Sequence, residues 1–289
     1  MTVPEFIYTV VLRPAPLRSL ANACLKAVIP AKLQRHGATI VLNPGDPVIS
    51  GALTFNVYEK TETEFILRVC RPGMNFLDIG ANVGYYTALA LTKLEGKGSI
   101  VCLEPDPVTF HFLQKTIAEN PHREIVKPLQ KAASDHSGVM TLYTSLDNRG
   151  DNRLYANELA QDSVQVEVIT IDQVAEELAL PYFDFIKIDV QGYEGRVLKG
   201  MRATLRNAPR TLLISEFWPY GLECAGTKPE AYLAELAELG MTLFELAKGG
   251  KLKPIRNYPA FIGAYPGRRY TNIVAMKGTL AEWGITDCA

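Results

Sequence analysis

Four stretches of the chain end an apolar run on residues able to do chemistry: FLDIGANVG at 76–84, CLEPDP at 102–107, FDFIKIDVQG at 183–192 and LLISEF at 212–217. Apolar runs of this length read as strands of a parallel sheet, and in such a sheet ligands bind at the carboxyl ends of the strands. The first run leads into a turn containing Gly80, Asn82 and Gly84. A dinucleotide fingerprint would need glycine at positions 82 and 85, where Asn82 and Tyr85 stand instead, and no phosphate-binding G-K-[ST] follows. The pattern points to a nucleoside without a pyrophosphate, and S-adenosylmethionine (SAM) fits it. Asp78 and the carbonyls around Gly80 offer acceptors for an α-amino group, and Asn82 offers a donor for a carboxylate. Glu104, at the end of the second strand, suits the two hydroxyls of a ribose. Small residues Ala132 and Ala133 leave room for an adenine edge.

The reaction expected of such a site is methyl transfer, whose rate rests mainly on holding nucleophile and methyl group in line. A hydroxyl acceptor must also lose a proton, so a base helps. Period-2 alternation puts Lys187 and Asp189 on one face of their strand. Asp189 is the first candidate to contact the methionine part or the acceptor, and Glu216 is the second carboxylate. Lys187 is a candidate for catalysis, with a buried ion pair to Asp189 or Glu216 as the more ordinary reading. His136, alone in a turn, ranks below Asp189 as a base. Asp106 and Asp172 read as helix caps. Two carboxylates are too few to specify magnesium, so no metal site is assigned. The fourth strand ends in DVQGY, not the [DN]-P-P-[YF] run of adenine-N6 methyltransferases.

Acceptor contacts are expected from less regular segments. One is NRGDNR at 148–153, with Asn148 and Arg149. The other is 251–270, with five basic residues, no acidic one and four aromatics, among them Tyr258 and Tyr265. A sugar, an acidic glycan or an isoprenoid phosphate would suit that mixture, and a packed surface loop is the competing reading.

The elements that must position these residues alternate along the chain. Strands are predicted at 75–79, 99–103, 125–132, 183–189, 211–216, 241–246 and 272–276. Helices are predicted at 57–70, 84–93, 107–119, 172–179, 193–206 and 228–239. The fold class is α/β: a Rossmann-like, mostly parallel seven-stranded sheet covered on both faces, with an antiparallel last strand. Residues 138–143 and 164–171 read as an inserted hairpin. Residues 1–50 read as an N-terminal arm of helix plus short strand, and 51–289 as the Rossmann-like domain. Within the arm, 14–36 is a basic amphipathic helix with a break at Pro30. Packing on its own domain is the expected role, with weak membrane-surface contact as the alternative.

The bulk numbers narrow the function class. The chain has 289 residues, 47% hydrophobic and 21% charged, with a formal net charge of −1. That balance exerts no general pull on nucleic acid, and no nucleic-acid partner is expected. Five scattered cysteines without a C-x-x-C pair argue against a disulfide framework or a structural zinc site. Glu5 stands where a signal peptide would carry a basic start, so no signal peptide is expected and a cytoplasmic location is. The partner is a small-molecule or glycan acceptor, and a homo-oligomer is compatible with the sequence.

These residues resemble the FkbM-type family of SAM-dependent methyltransferases. The likeness runs from VYEKTETEF to TNIVAMK and includes FLDIGANVGYYT, CLEPDPVTFHFLQKTIAEN, KAASDHSGVMTLY, FDFIKIDVQGYEGRVLKG and LLISEF. The resemblance implies a class I methyltransferase fold, SAM as cofactor and O-methylation of sugars, glycolipids or polyketide-type products. Gln191 departs from the family pattern, which usually carries Glu in DVEG.

Overall fold

The computed structural model describes residues 28–145, 148–156 and 160–286. In chain order its elements are β1 (Lys32–Arg35), β2 (Ala38–Val41), α1 (Pro47–Thr54), α2 (Lys60–Val69), β3 (Asn75–Ile79), α3 (Tyr85–Leu94), β4 (Ser99–Leu103), α4 (Pro107–Ala118), β5 (Val126–Leu129), β6 (Ala132–Ala133), β7 (Gly138–Thr144), β8 (Asp162–Ile169), α5 (Ile171–Glu177), β9 (Phe185–Ile188), α6 (Glu194–Lys199), α7 (Arg202–Asn207), β10 (Thr211–Phe217), α8 (Pro219–Cys224), α9 (Pro229–Glu238), β11 (Thr242–Ala247), β12 (Lys251–Pro254), α10 (Tyr258–Gly263) and β13 (Thr271–Lys277).

The central sheet runs β12-β11-β13-β10-β9-β3-β4-β5. Strands β5, β4, β3, β9 and β10 are parallel. Strand β13 is antiparallel to both β10 and β11. From β3 the chain builds outward through β4 and β5, then returns to place β9 on the other side of β3. The order therefore reverses between β3 and β9, which opens a crevice at their carboxyl ends. Period-2 alternation fills both faces: Phe76, Ile100 and Phe185 belong to one buried cluster, Leu77, Val101 and Ile186 to the other. Phe76 and Phe185 stack at 5.1 Å between ring centroids. Residues buried on both faces explain why these strands read as continuous apolar runs.

The Rossmann-like class holds, with differences in detail. The main sheet has an eighth strand, β12, antiparallel to β11 at the edge. It forms because Leu252 is fully buried between exposed Lys251 and Lys253, a period-2 pattern inside a segment read as irregular. The predicted strand at 125–132 divides into β5 and β6. Strand β6 pairs with β8, and β8 with β7, in a separate three-stranded sheet that contains the inserted hairpin. The helix predicted at 193–206 is two, α6 and α7. They break at Gly200, where a Cβ would stand 1.9 Å from the Ser134 carbonyl oxygen.

Lys32–Arg35 is a strand and not the tail of a basic helix. It pairs with β2 across His36 and Gly37, whose φ angles of 51° and 82° make a two-residue hairpin turn. Strand β2 sends Ala38 and Ile40 into the main core, and Thr39 and Val41 donate to Asn120 and Thr116 on the α4 side. Residues 14–27 of the basic segment lie outside the described residues. Helix α1 runs across positions 50 and 51. Asp106 caps α4, as its Asp-Pro pair predicts. Asp172 does not cap its own helix, which Thr170 caps, but accepts from the amides of Ala203 and Thr204 at the start of α7. Among the described residues, no helix is long and apolar enough to cross a membrane.

Candidate active site

A cavity of about 680 Å³ opens at the carboxyl ends of the parallel strands. That is within the ordinary range for a cofactor site. Its floor is the turn after β3, held in place by close backbone contact. Gly80 has φ of 80°, and a Cβ there would meet the Asp189 carbonyl oxygen at 2.0 Å. The Asp189 amide donates to the Ile79 carbonyl at 3.0 Å, so the ends of β3 and β9 are joined beneath the cavity. Only glycine permits both the angle and the approach.

Asn82 also has positive φ, 51°, a conformation that Asn tolerates better than most residues. Its side-chain oxygen accepts from the Val83 amide at 2.7 Å, and its Nδ2 makes no hydrogen bond among the described residues. The Asn82 amide donates to Glu104 Oε2 at 3.0 Å, and the Asp106 amide donates to Oε1 at 2.9 Å. Glu104 is thereby fixed at the mouth of β4. Burial raises its pKa to about 8, with the two amides pulling the other way. Ala132 and Ala133 line the same side of the cavity.

A second group of carboxylates lies on the other side. Asp189 is bonded at both oxygens: Lys187 Nζ is 2.9 Å from Oδ2 and Gln191 Nε2 is 3.1 Å from Oδ1. Lys187 is 4% exposed and lies beneath the cavity, with Nζ 3.9 Å from Glu59 Oε2 and 4.6 Å from the centroid of the Tyr86 ring. Burial works against its charge, but Asp189, Glu59 and Asp78 outweigh burial and hold its pKa above the ordinary value. Glu59 accepts from the Tyr86 hydroxyl at 2.6 Å, and burial pushes its pKa up to about 7. Glu216 lines the cavity with an Oε2 that is buried and has no partner. Burial, reinforced by Asp189, Glu194 and Glu59, raises its pKa well above the ordinary value. Glu194 supports the next turn, accepting from the amides of Val190 and Gly192.

The expected site residues separate into two sets. Gly80, Asn82, Glu104, Ala133, Asn148, Arg149, Asp189 and Glu216 line the cavity. Asp78 does not: it is 1% exposed beneath the turn, takes a hydrogen bond from Thr87 at 2.7 Å and faces Lys187 across the β3–β9 register. Gly84 serves packing, since a Cβ there would meet Leu113 Cδ1 of α4 at 2.7 Å. Tyr258, the first residue of α10, packs on the core, and Tyr265 donates to Glu245 at 2.5 Å, and neither lines the cavity. The same 251–270 segment delivers Arg268 and Tyr270 instead. Arg153, from the 148–153 loop expected to supply contacts, also lines the cavity, while sequence reasoning missed Glu59 and the pair Trp218 and Tyr220. The WPY run immediately after the fifth strand was the available signal for the last two. Arg149 is ion-paired to Asp106 at 2.7 Å, and its amide donates to Asp46, which docks the 148–153 loop on α1.

The sequence profile of the methyltransferase FkbM domain matches residues 78–242, which takes in the end of β3 and all of β4, β9 and β10 with the residues at their ends. The chain belongs to the methyltransferase FkbM domain family. Two relatives and one solved structure are similar to this FkbM-domain chain. It is 28% identical over 131 residues to the hexuronic acid methyltransferase AglP of Haloferax volcanii, covering 45% of this chain and 51% of that protein. It is 31% identical over 161 residues to the 31-O-demethyl-FK506 methyltransferase FkbM of Streptomyces tacrolimicus, covering 45% and 60%. The chain thus spans only half to three-fifths of the length of these two relatives. The crystal structure of methyltransferase FkbM from Methylobacillus flagellatus KT is similar over 90% of this chain and 59% of that one, with TM-score 0.46 and 14% identity.

Proposed function

We propose that this protein is a SAM-dependent O-methyltransferase acting on a hydroxyl of a sugar, glycolipid or natural product. The observation that carries the reading is the division of one cavity. Glu104, Asn82, Gly80 and two alanines stand at one side, and Asp189 and Glu216 at the other. The residues fit the cofactor. Glu104 is an acceptor fixed by two amides, Gly80 brings bare backbone to the cavity wall, and Ala132 and Ala133 are small enough to admit a flat base. When bound, SAM supplies an electrophilic methyl group on a sulfonium with a good, neutral leaving group.

The chain's own residues then have to orient the acceptor and take its proton. Asp189, ion-paired with Lys187, is the anion able to accept that proton. Glu216 lines the cavity beside it, and its buried, unpartnered Oε2 serves to orient the hydroxyl. Gln191 and Lys187 fix the Asp189 carboxylate from two sides, which keeps the acceptor in line. The relatives named for hexuronic acid and for O-demethyl-FK506 support a hydroxylated acceptor, and buried free thiols at Cys70 and Cys102 accord with a cytoplasmic setting. Calorimetric titration with SAM, followed by labelled methyl transfer to glycoside and polyketide acceptors, tests the proposal. Saturable SAM binding with label appearing as a methyl ether is expected. Failure to bind SAM, with binding of NAD in its place, refutes it.

A further inference from the structure

The cavity carries a charge gradient that the methyl-transfer reading does not use. Four cations line it: Lys131, Arg149, Arg153 and Arg268. Three are already paired. Lys131 is 2.9 Å from Glu167, Arg149 is 2.7 Å from Asp106, and Arg153 forks onto Asp151. Arg268 is exposed and makes no hydrogen bond or ion pair among the described residues.

Its place is fixed by its neighbours. The Trp218 indole nitrogen donates to the Gly267 carbonyl at 3.1 Å, pinning the turn that carries Arg268 to the end of β10. Thr271 pairs with Phe217, which puts Tyr270 at the level of Trp218. Trp218 and Tyr220 lie 5.7 Å apart, and Tyr220 and Tyr270 are 49% and 60% exposed. Exposed aromatic faces of this kind take the apolar face of a sugar ring. Strands β10 and β13 are separated from β4 by β9 and β3, so this wall stands away from Glu104 and on the side of Glu216.

The floor below sets two carboxylates, Asp189 and Glu59, against one buried lysine. An anionic group on an acceptor is repelled by that floor and attracted to Arg268. We propose that the acceptor is an anionic sugar, carrying a carboxylate or a phosphate, held by Arg268 over the Tyr220 and Tyr270 faces with its hydroxyl directed to Asp189. This rests on the methyltransferase reading only for the direction of the hydroxyl. The anion site itself stands on Arg268 and the aromatic wall. Guanidinium pairs bidentately with either anion, so the chemistry is shared between the two sources.

Isothermal titration of the full chain with phenyl glucuronide, glucose 1-phosphate and neutral phenyl glucoside, at low salt, tests the proposal. At least one charged probe is expected to bind about tenfold more tightly than the glucoside, the scale of one charge-assisted contact at an open site. Preference for the glucuronide alone assigns a carboxylate, and preference for the phosphate alone assigns a phosphoryl group. Arg268→Ala is expected to abolish the preference while SAM affinity is unchanged, and Arg268→Lys to restore part of it. Equal binding of charged and neutral probes, or binding of none, overturns the proposal, as does an Arg268→Ala protein that keeps the preference. Loss of SAM binding with the anion preference intact would instead count against the methyltransferase reading.

Discussion

Lys187 is the cation on which the acidic side of the cavity depends, and replacing it with methionine exposes that dependence. The substitution keeps most of the buried volume and removes the charge. Lys187 lies 2.9 Å from Asp189 and 3.9 Å from Glu59, and its side chain is 5% exposed. At an effective dielectric constant of about 20, a unit pair at the shorter distance is worth roughly 6 kcal/mol. The cost of burying the ammonium offsets part of this. Removing one partner of a buried pair costs about 3–5 kcal/mol, because the remaining charge is stranded. In a domain of this size each kcal/mol moves Tm by about 2–4 °C, so a fall of roughly 6–20 °C is expected at neutral pH. The sign of the pH dependence follows from which groups titrate. The folded-state pKa of Lys187 is raised above 10.5, so its contribution is fully present below that pH and is lost only as pH rises through the folded value. Any recovery of the variant at low pH must therefore come from the carboxylates. Without the lysine they bind protons more readily, and the variant's deficit should shrink by at least about half between about pH 8 and about pH 5. Thermal unfolding of both proteins across that range measures it. A deficit under about 3 °C, or one equal at both ends of the range, would refute the account of Lys187 as the counter-charge.

Glu104→Gln should act in opposite directions on stability and binding. The folded pKa of Glu104, about 8, lies above its ordinary 4.5, so the native state holds the extra proton and loses stability as pH rises through that window. The variant should melt higher than the parent at pH about 8 while binding SAM roughly tenfold more weakly, and calorimetry together with melting curves decides it. Gly80→Ala forces a Cβ to 2.0 Å from the Asp189 carbonyl oxygen at a φ of 80°. The ends of β3 and β9 must separate, and a destabilisation above about 3 kcal/mol with loss of SAM binding is expected in chemical unfolding and titration. Trp218→Phe removes the hydrogen bond to Gly267 that holds the Arg268 turn. A rise of several-fold in acceptor KM with little change in kcat is expected from steady-state kinetics.

Much of the fold was legible because its signals are local. The runs at 75–79, 99–103 and 211–217 are mostly apolar, and each is bounded by a turn or helix cap written in neighbouring residues. The seven-residue β7 and eight-residue β8 alternate clearly enough to read as a hairpin. What failed to show were elements whose reason lies elsewhere in space. Helix α1 is short and becomes ordered against the 148–153 loop, through Asp46 and the Arg149 amide. Strand β1 hides in a basic, helix-like composition, and the His36-Gly37 turn decides it. Strand β12 exists because β11 offers a free edge and Leu252 a single buried contact.

The same division applies to the site. The sequence by itself determined that a turn too poor in glycine for a pyrophosphate follows β3, and that Glu104, Asp189 and Glu216 stand at the carboxyl ends of strands. Period and position along a strand are properties of the local chain. The tertiary structure alone decided which of these residues face the cavity. Asp78 and Lys187 sit one step below their strand ends, so they are buried as a support, while Asp189 opens upward. It also decided that Arg268 and Tyr270, and not Tyr258 or Tyr265, reach the rim. That choice depends on an antiparallel pairing of β13 with β10 and on one indole hydrogen bond to Gly267. Both join residues about fifty positions apart, a separation that composition and periodicity do not encode.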